Sequence, residues 1–274
     1  LGRYLTMAIT SLDGIVAGCL APVPIFKVGT APEAAAIHYS TFYATGNPGA
    51  AAAPTPGLAG AALTTYGGQI PWTNPVSGNS YVARFSGAAS VAAGYWIHDR
   101  LWHNSGIVVT TTTAQTINSV AWPARDRDGL TAGAGIMVAI EVRTATTNAG
   151  AITNTTMSYT NQAGTAGRTA TIASFPATAV VGTFVPFQLD AADTGVRSIQ
   201  TITLGTSYVA GAIHLVAYRP LLQMGVTIAN IPFDLGAVGC GMVRCFDNTV
   251  PWLVQLATAT TATTFNGALI ITQG

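Results

Sequence analysis

The densest group of side chains able to do chemistry is Trp96-Ile97-His98-Asp99-Arg100-Leu101-Trp102-His103-Asn104. Imidazole and carboxylate are transition-metal donors, so His98, Asp99 and His103 first suggest a metal site. Their spacing argues against a self-contained one. Residues five apart lie about 140° apart around a helix and on opposite faces of a strand, and no neighbouring Cys or Glu completes a set. The segment therefore reads as a structural corner, with Trp96 and Trp102 anchored in the core and Asp99 and Arg100 paired or bonded to backbone. No metal and no cofactor is expected.

The other candidates are weaker. Asp126-x-Asp128-Gly129 resembles the start of a calcium loop but lacks the later ligands and the closing Glu. Arg125-Asp126-Arg127-Asp128 is thus expected to be a polar turn whose charges compensate one another. Cys19, Cys240 and Cys245 are too few and scattered for a disulfide framework or a zinc site, and read as small buried hydrophobes. Asn154-Thr155-Thr156 is a glycosylation sequon, a triplet expected by chance in a Thr-rich chain. There is no Gly-x-Ser-x-Gly elbow and no phosphate-cradling Gly loop, and Lys27 is the only lysine. The carboxylates are dispersed; Asp99 and Glu141, for instance, could meet only through the fold. The expectation is that the chain is not an enzyme.

The elements that must position these residues are strands. Runs at 106–118, 136–144, 153–160, 168–174, 184–189, 199–204, 212–218 and 268–272 are separated by Gly, Asn, Asp and Pro. Ile213, Leu215 and Ala217 alternate with His214, Val216 and Tyr218, the period of a strand. The spacing predicts an all-β fold, a jelly-roll-like β-sandwich over 69–274. Residues 1–68 read differently, as an extended and mostly irregular N-terminal arm. Pro32 suits a first helical position and Glu33 the positive end of a helix, which predicts a short helix over 32–43. The charge-free stretch 44–68 then has no clear period.

Composition bounds the function. Only 8% of the 274 residues are charged, against about a quarter in an ordinary soluble domain. No charged residue lies between Glu33 and Arg84, or after Asp247. The net charge of +1, without a basic stripe, argues against nucleic-acid binding. No run of about 18 apolar residues is present, so no spanning helix and no membrane partner are expected. Val16-Ala17-Gly18-Cys19 superficially matches a lipoprotein cleavage box, but Asp13 precedes it and Pro22 and Pro24 follow. Leu1 is not an initiator Met, so processing upstream of it is expected. A surface so poor in charge suits a chain packed against other proteins. The Thr runs at 110–113, 155–156 and 258–264 fit that reading, because a neutral hydroxyl meets a neighbour without stripping water from a charge.

Trp96 to Gly106, the Thr-rich 109–116 that follows, and Trp122-Pro123-Ala124-Arg125-Asp126 resemble tailed-bacteriophage virion structural proteins. So do 146–161 and Ala163-Gly164-Thr165-Ala166-Gly167-Arg168. The resemblance covers roughly 94–171. It implies a virion component without fixing which one; the leading expectation is the capsid-decorating, head-associated type, with a major capsid protein or other virion proteins as partners. Homo-oligomerisation is also expected, as a trimer. Tyr39, Phe42 and Tyr43 in the arm, Trp72 just after it and Trp252 near the end are the expected interface anchors, since aromatic residues carry much of interface energy. A tail, baseplate or fibre protein is the alternative within a virion. A carbohydrate-binding or glycan-hydrolysing β-sandwich is the alternative from another class.

Overall fold

The computed structural model describes residues 9–30 and 32–274. A short helix, α1 (Leu12–Ala17), leads into β1 (Val23–Val28) and β2 (His38–Ser40). A 3-10 turn (Thr41–Tyr43) separates β2 from β3 (Thr45–Asn47) and β4 (Ala61–Ala62). Then come β5 (Ser80–Ala89), β6 (Ala93–His103), β7 (Gln115–Thr116), β8 (Met137–Thr144), β9 (Ile152–Asn161) and β10 (Arg168–Phe175). The chain ends with β11 (Thr183–Pro186), β12 (Val196–Thr203), β13 (Ala212–Val226), β14 (Phe233–Leu235), β15 (Arg244–Cys245), β16 (Pro251–Ala257) and β17 (Thr264–Gln273). The fold is all-β with antiparallel sheets. No helix of the described residues is long and apolar enough to cross a membrane.

Strands β13, β8, β11, β2, β16 and β6 pair in that order, and β6 bonds back to β13, closing a six-stranded barrel. Closure needs strong local bending, which bulges supply. The long β13–β6 pairing has two register shifts, at Ala217/Tyr218 and Pro220/Leu222. Pro220 sits at the second, where a missing N–H costs little. Two further sheets flank the barrel, β10-β9-β12-β7 and β14-β5-β17-β1-β3, the latter with β15 on β5.

Alternation along each barrel strand sorts residues into the interior and the outer wall. On the outer wall, Ile140, Val142, Leu215 and Ala217 pack with Met157, Tyr159, Ile172 and Ile199 of the four-stranded sheet. Elsewhere on the wall, Tyr95, Ile97 and Leu253 pack with Ile25, Phe85, Phe265 and Leu269 of the six-stranded sheet. Each such side chain contributes about 1.5–3 kcal/mol on burial. The barrel interior is a third, smaller core around Phe42, Phe184, Tyr218 and Trp252.

The described part of the N-terminal region is built into these sheets and is no free arm. β1 pairs with β17 from Val23↔Leu269 to Val28↔Thr264, and β2 completes the barrel between β11 and β16. Ala51 and Leu63 join the interior core. Residues 1–8 of the expected arm lie outside the described residues. The helix expected over 32–43 is absent: β2 and the 3-10 turn occupy its second half. Glu33 is buried instead of capping a helix, and its carboxylate accepts hydrogen bonds from Gln255 and Thr263. The observed helix α1 lies earlier, where Ser11 Oγ accepts the Gly14 N–H at 3.1 Å. Within 106–118, only Gln115 and Thr116 form a strand. Gly60 shows how tightly the connecting chain lies on the barrel: its φ is +71°, and a Cβ there would lie 2.3 Å from the Trp102 ring.

Candidate functional site

The barrel interior holds most of the unusual chemistry of the chain. Register places Trp252 beside His98 and Val254 beside Trp96. Phe184 is beside Glu141 on one side and His38 on the other. Tyr218 pairs with Met137 and Arg100. Alternate residues of all six strands thus converge on one lumen, which has a closed end and an open end.

At the closed end Arg100 donates two hydrogen bonds to Glu141, at 2.9 and 2.8 Å, with both side chains fully buried. The Tyr43 hydroxyl donates to the same carboxylate at 2.9 Å. The Arg100 guanidinium also lies 4.9 Å from the Phe42 ring and 5.6 Å from the Trp252 ring, an arrangement that offsets part of its lost hydration. Burial alone would raise the Glu141 carboxyl, but the charge and hydrogen bonds of Arg100 hold it below the usual range. Burial, together with the Glu141 charge, pushes the Tyr43 phenol well up. His103 and His214 flank this pair. Burial and the Arg100 charge lower His103 to about 3, and burial lowers His214 to about 4, so both are neutral at pH 7. Neither ring nitrogen of His214 has a partner.

At the open end, a cavity of about 520 Å³ enters the barrel between β2, β6, β8, β11 and β13. His38 and Trp96 meet edge to face at 4.9 Å, and both line the opening. Deeper in, His98, Phe184 and Tyr218 are buried. The His98 ring centroid is 4.6 Å from that of Tyr218 and 5.4 Å from that of Trp252. No formally charged residue lines the cavity. Burial takes His98 down to about 3. It is therefore neutral, with Nδ1 unpartnered.

The expected structural corner at Trp96, Asp99, Arg100 and Trp102 is instead the run of an eleven-residue strand, β6. Alternation sends its neighbours apart. His98 and Arg100 face the lumen, whereas Asp99 pairs outside it with Arg125 at 2.9 and 3.1 Å and accepts the Val250 N–H at 2.8 Å. His98, Asp99 and His103 consequently do not converge. The described residues contain no group of three or more His, Cys, Asp or Glu placed to hold a metal. Trp102 is buried and donates to the Ala59 carbonyl at 3.0 Å; Trp96 is half-buried at the cavity mouth.

The Asp126 loop also differs from a turn of mutually compensating charges. Arg125 leaves it for Asp99, while Asp126 is buried and accepts the backbone N–H groups of Asp128, Leu130, Gly133 and Ala134 at 2.7–3.3 Å. Only Arg127 and Asp128 pair within it, at the surface. Cys240 and Cys245 are buried and free, but Cys19 is exposed.

Three of the five expected interface anchors are spent on the chain's own interior. Phe42 and Trp252 are 0% and 1% exposed. Tyr39 is buried, with its hydroxyl accepting the Ala34 N–H. Tyr43 and Trp72 are half-buried; Tyr43 is held by Glu141, and Trp72 donates to Asn74 at 2.9 Å. The sequence reading missed the Arg100–Glu141 and Asp99–Arg125 pairs. Their one sequence signal was opposite charges on adjacent residues within an apolar strand. Compared with known protein families, curated proteins and solved structures, the chain matches none of them.

Proposed function

We propose that this chain is a non-enzymatic structural protein of a tailed-phage virion, decorating or cementing the capsid through neutral contacts. The carrying observation is the outer face of the four-stranded sheet. Cross-strand neighbours there are Thr156–Thr171, Ser158–Thr169, Thr156–Thr203, Ser158–Thr201 and Thr160–Ser198. Such a hydroxyl face can be covered without the cost of desolvating a charge. Burial impoverishes the surface further, because Lys27, Glu33, Asp99, Arg100, Arg125, Asp126, Glu141 and Arg219 are all inside. Within this reading, the four-stranded sheet packed on the barrel wall is the jelly-roll-like sandwich element. The partners are a major capsid protein or other virion proteins together with copies of the same chain, as a trimer. A protein that binds only the assembled lattice stabilises it by mass action, and many small contacts on a repeating shell add through multivalency.

The test is a cryo-electron-microscopy map of particles shown by peptide mass mapping to contain the chain. Density for it on the head shell is the expected result. Density confined to the tail would replace the head assignment with a baseplate or fibre role. Its absence from any particle would overturn the reading.

A further inference from the structure

The cavity at the barrel mouth has the properties of a binding site. It is enclosed on several sides by strands of one closed barrel, the kind of place where small ligands sit. About 520 Å³ holds one or two rings. Its lining carries no formal charge, so an ion entering it would lose hydration without a compensating partner. Its walls are ring faces and aliphatic carbon: Trp96, Met137, Phe184, Tyr218 and Leu222. One polar group stands out. His98 is only 4% exposed, and its Nδ1 has no hydrogen-bond partner. Nδ1 is sealed inside the wall, so the imidazole meets the cavity through Nε2, which makes no hydrogen bond within the chain and marks a position for an incoming group.

We propose that this mouth binds an uncharged aromatic ring bearing a single hydroxyl, a phenol, with the hydroxyl on the His98 imidazole and the ring among the aromatic walls. A hydroxyl suits Nε2 because it can donate or accept, and so it meets either neutral tautomer of the imidazole. Ring edges and faces at the separations already present around His98 are those aromatic groups prefer. A carboxylate or ammonium ligand is disfavoured by the same uncharged lining.

The probe is p-cresol, with toluene as the partner lacking the hydroxyl. The readout is the imidazole nitrogen resonances of the four histidines, with His98 assigned through His98→Gln. A saturable shift of the His98 Nε2 signal is expected with p-cresol, and toluene should bind about tenfold more weakly, the difference one hydrogen bond supplies. In His98→Phe that discrimination should vanish, a cooperative thermal melt showing that the variant is folded. If the variant does not fold, the wild-type comparison alone decides. Absence of saturable p-cresol binding, or equal binding of the two compounds, would overturn the proposal. Two arms separate the sources of the phenol. Binding that weakens as the chain self-associates assigns it to a tyrosine of a neighbouring copy. Binding indifferent to association assigns it to a free small molecule. Failure of p-cresol to bind would leave the virion reading untouched, since that rests on the outer sheet face.

Discussion

Arg100 and Glu141 have no exposed surface and two mutual hydrogen bonds, so neither can be altered alone. Removing one partner leaves an uncompensated buried charge, and Arg100→Met should cost about 3–5 kcal/mol in urea unfolding. The double change Arg100→Met with Glu141→Leu should recover most of that loss, because well-packed apolar groups often replace a buried pair without penalty. The neighbouring histidines give a pH signature. His98 and His103 at about 3 and His214 at about 4 stay neutral in the folded chain while unfolded histidine titrates at its ordinary value. The unfolded state therefore binds more protons below about pH 6.5, and stability falls as pH drops from there toward 3–4. Glu141 is held low, so its contribution is lost only below the ordinary carboxylate range. The melting temperature should accordingly decline between pH 7 and 5, and His214→Phe should flatten that decline. The reactive residue types of 96–104 stood out in the sequence; their partners did not. Glu141 lies forty-one positions from Arg100, and only the β6–β13–β8 pairing brings them together.

Among the elements, the loop around Asp126 behaves as one unit with a single keystone. One carboxylate satisfies four backbone N–H groups. Asp126→Ala should therefore lose at least about 3 kcal/mol, as several buried donors are stranded together, while Asp128→Ala at the surface should cost little. Chemical unfolding of both variants checks the contrast. Legibility at this scale followed strand length and pattern. β8, β9, β10, β12 and the first half of β13 were readable, since each is long and its apolar residues recur toward one core. β2 was not readable, because three residues carry no period. β1 was disguised by Lys27, which points inward and donates to the Pro48 carbonyl at 2.7 Å. β6 was masked by its own charges, which alternate between lumen and outer wall. Barrel closure was invisible for a further reason: it rests on β6 pairing with β13 across more than a hundred residues.

For the whole molecule, scarce charge is the property that the fold sharpens. The charged side chains taken inside hold the interior together, and those left outside are partly paired, as in Arg84–Asp234 and Arg168–Asp190. Little remains to keep copies apart. The all-β class and the neutral Thr faces were legible from composition, but which face stays uncovered depended on how the sheets stack. Sedimentation velocity of the purified chain at low salt and at about 1 M NaCl, where the screening length is near 3 Å, tests the account most directly. It should be run beside a Thr156→Lys/Thr171→Lys variant with an unchanged melting temperature. The account predicts a trimer at both salt concentrations and a monomer for the lysine variant. A wild-type monomer at every concentration, an oligomer that dissolves with salt, or a lysine variant that still associates would contradict it.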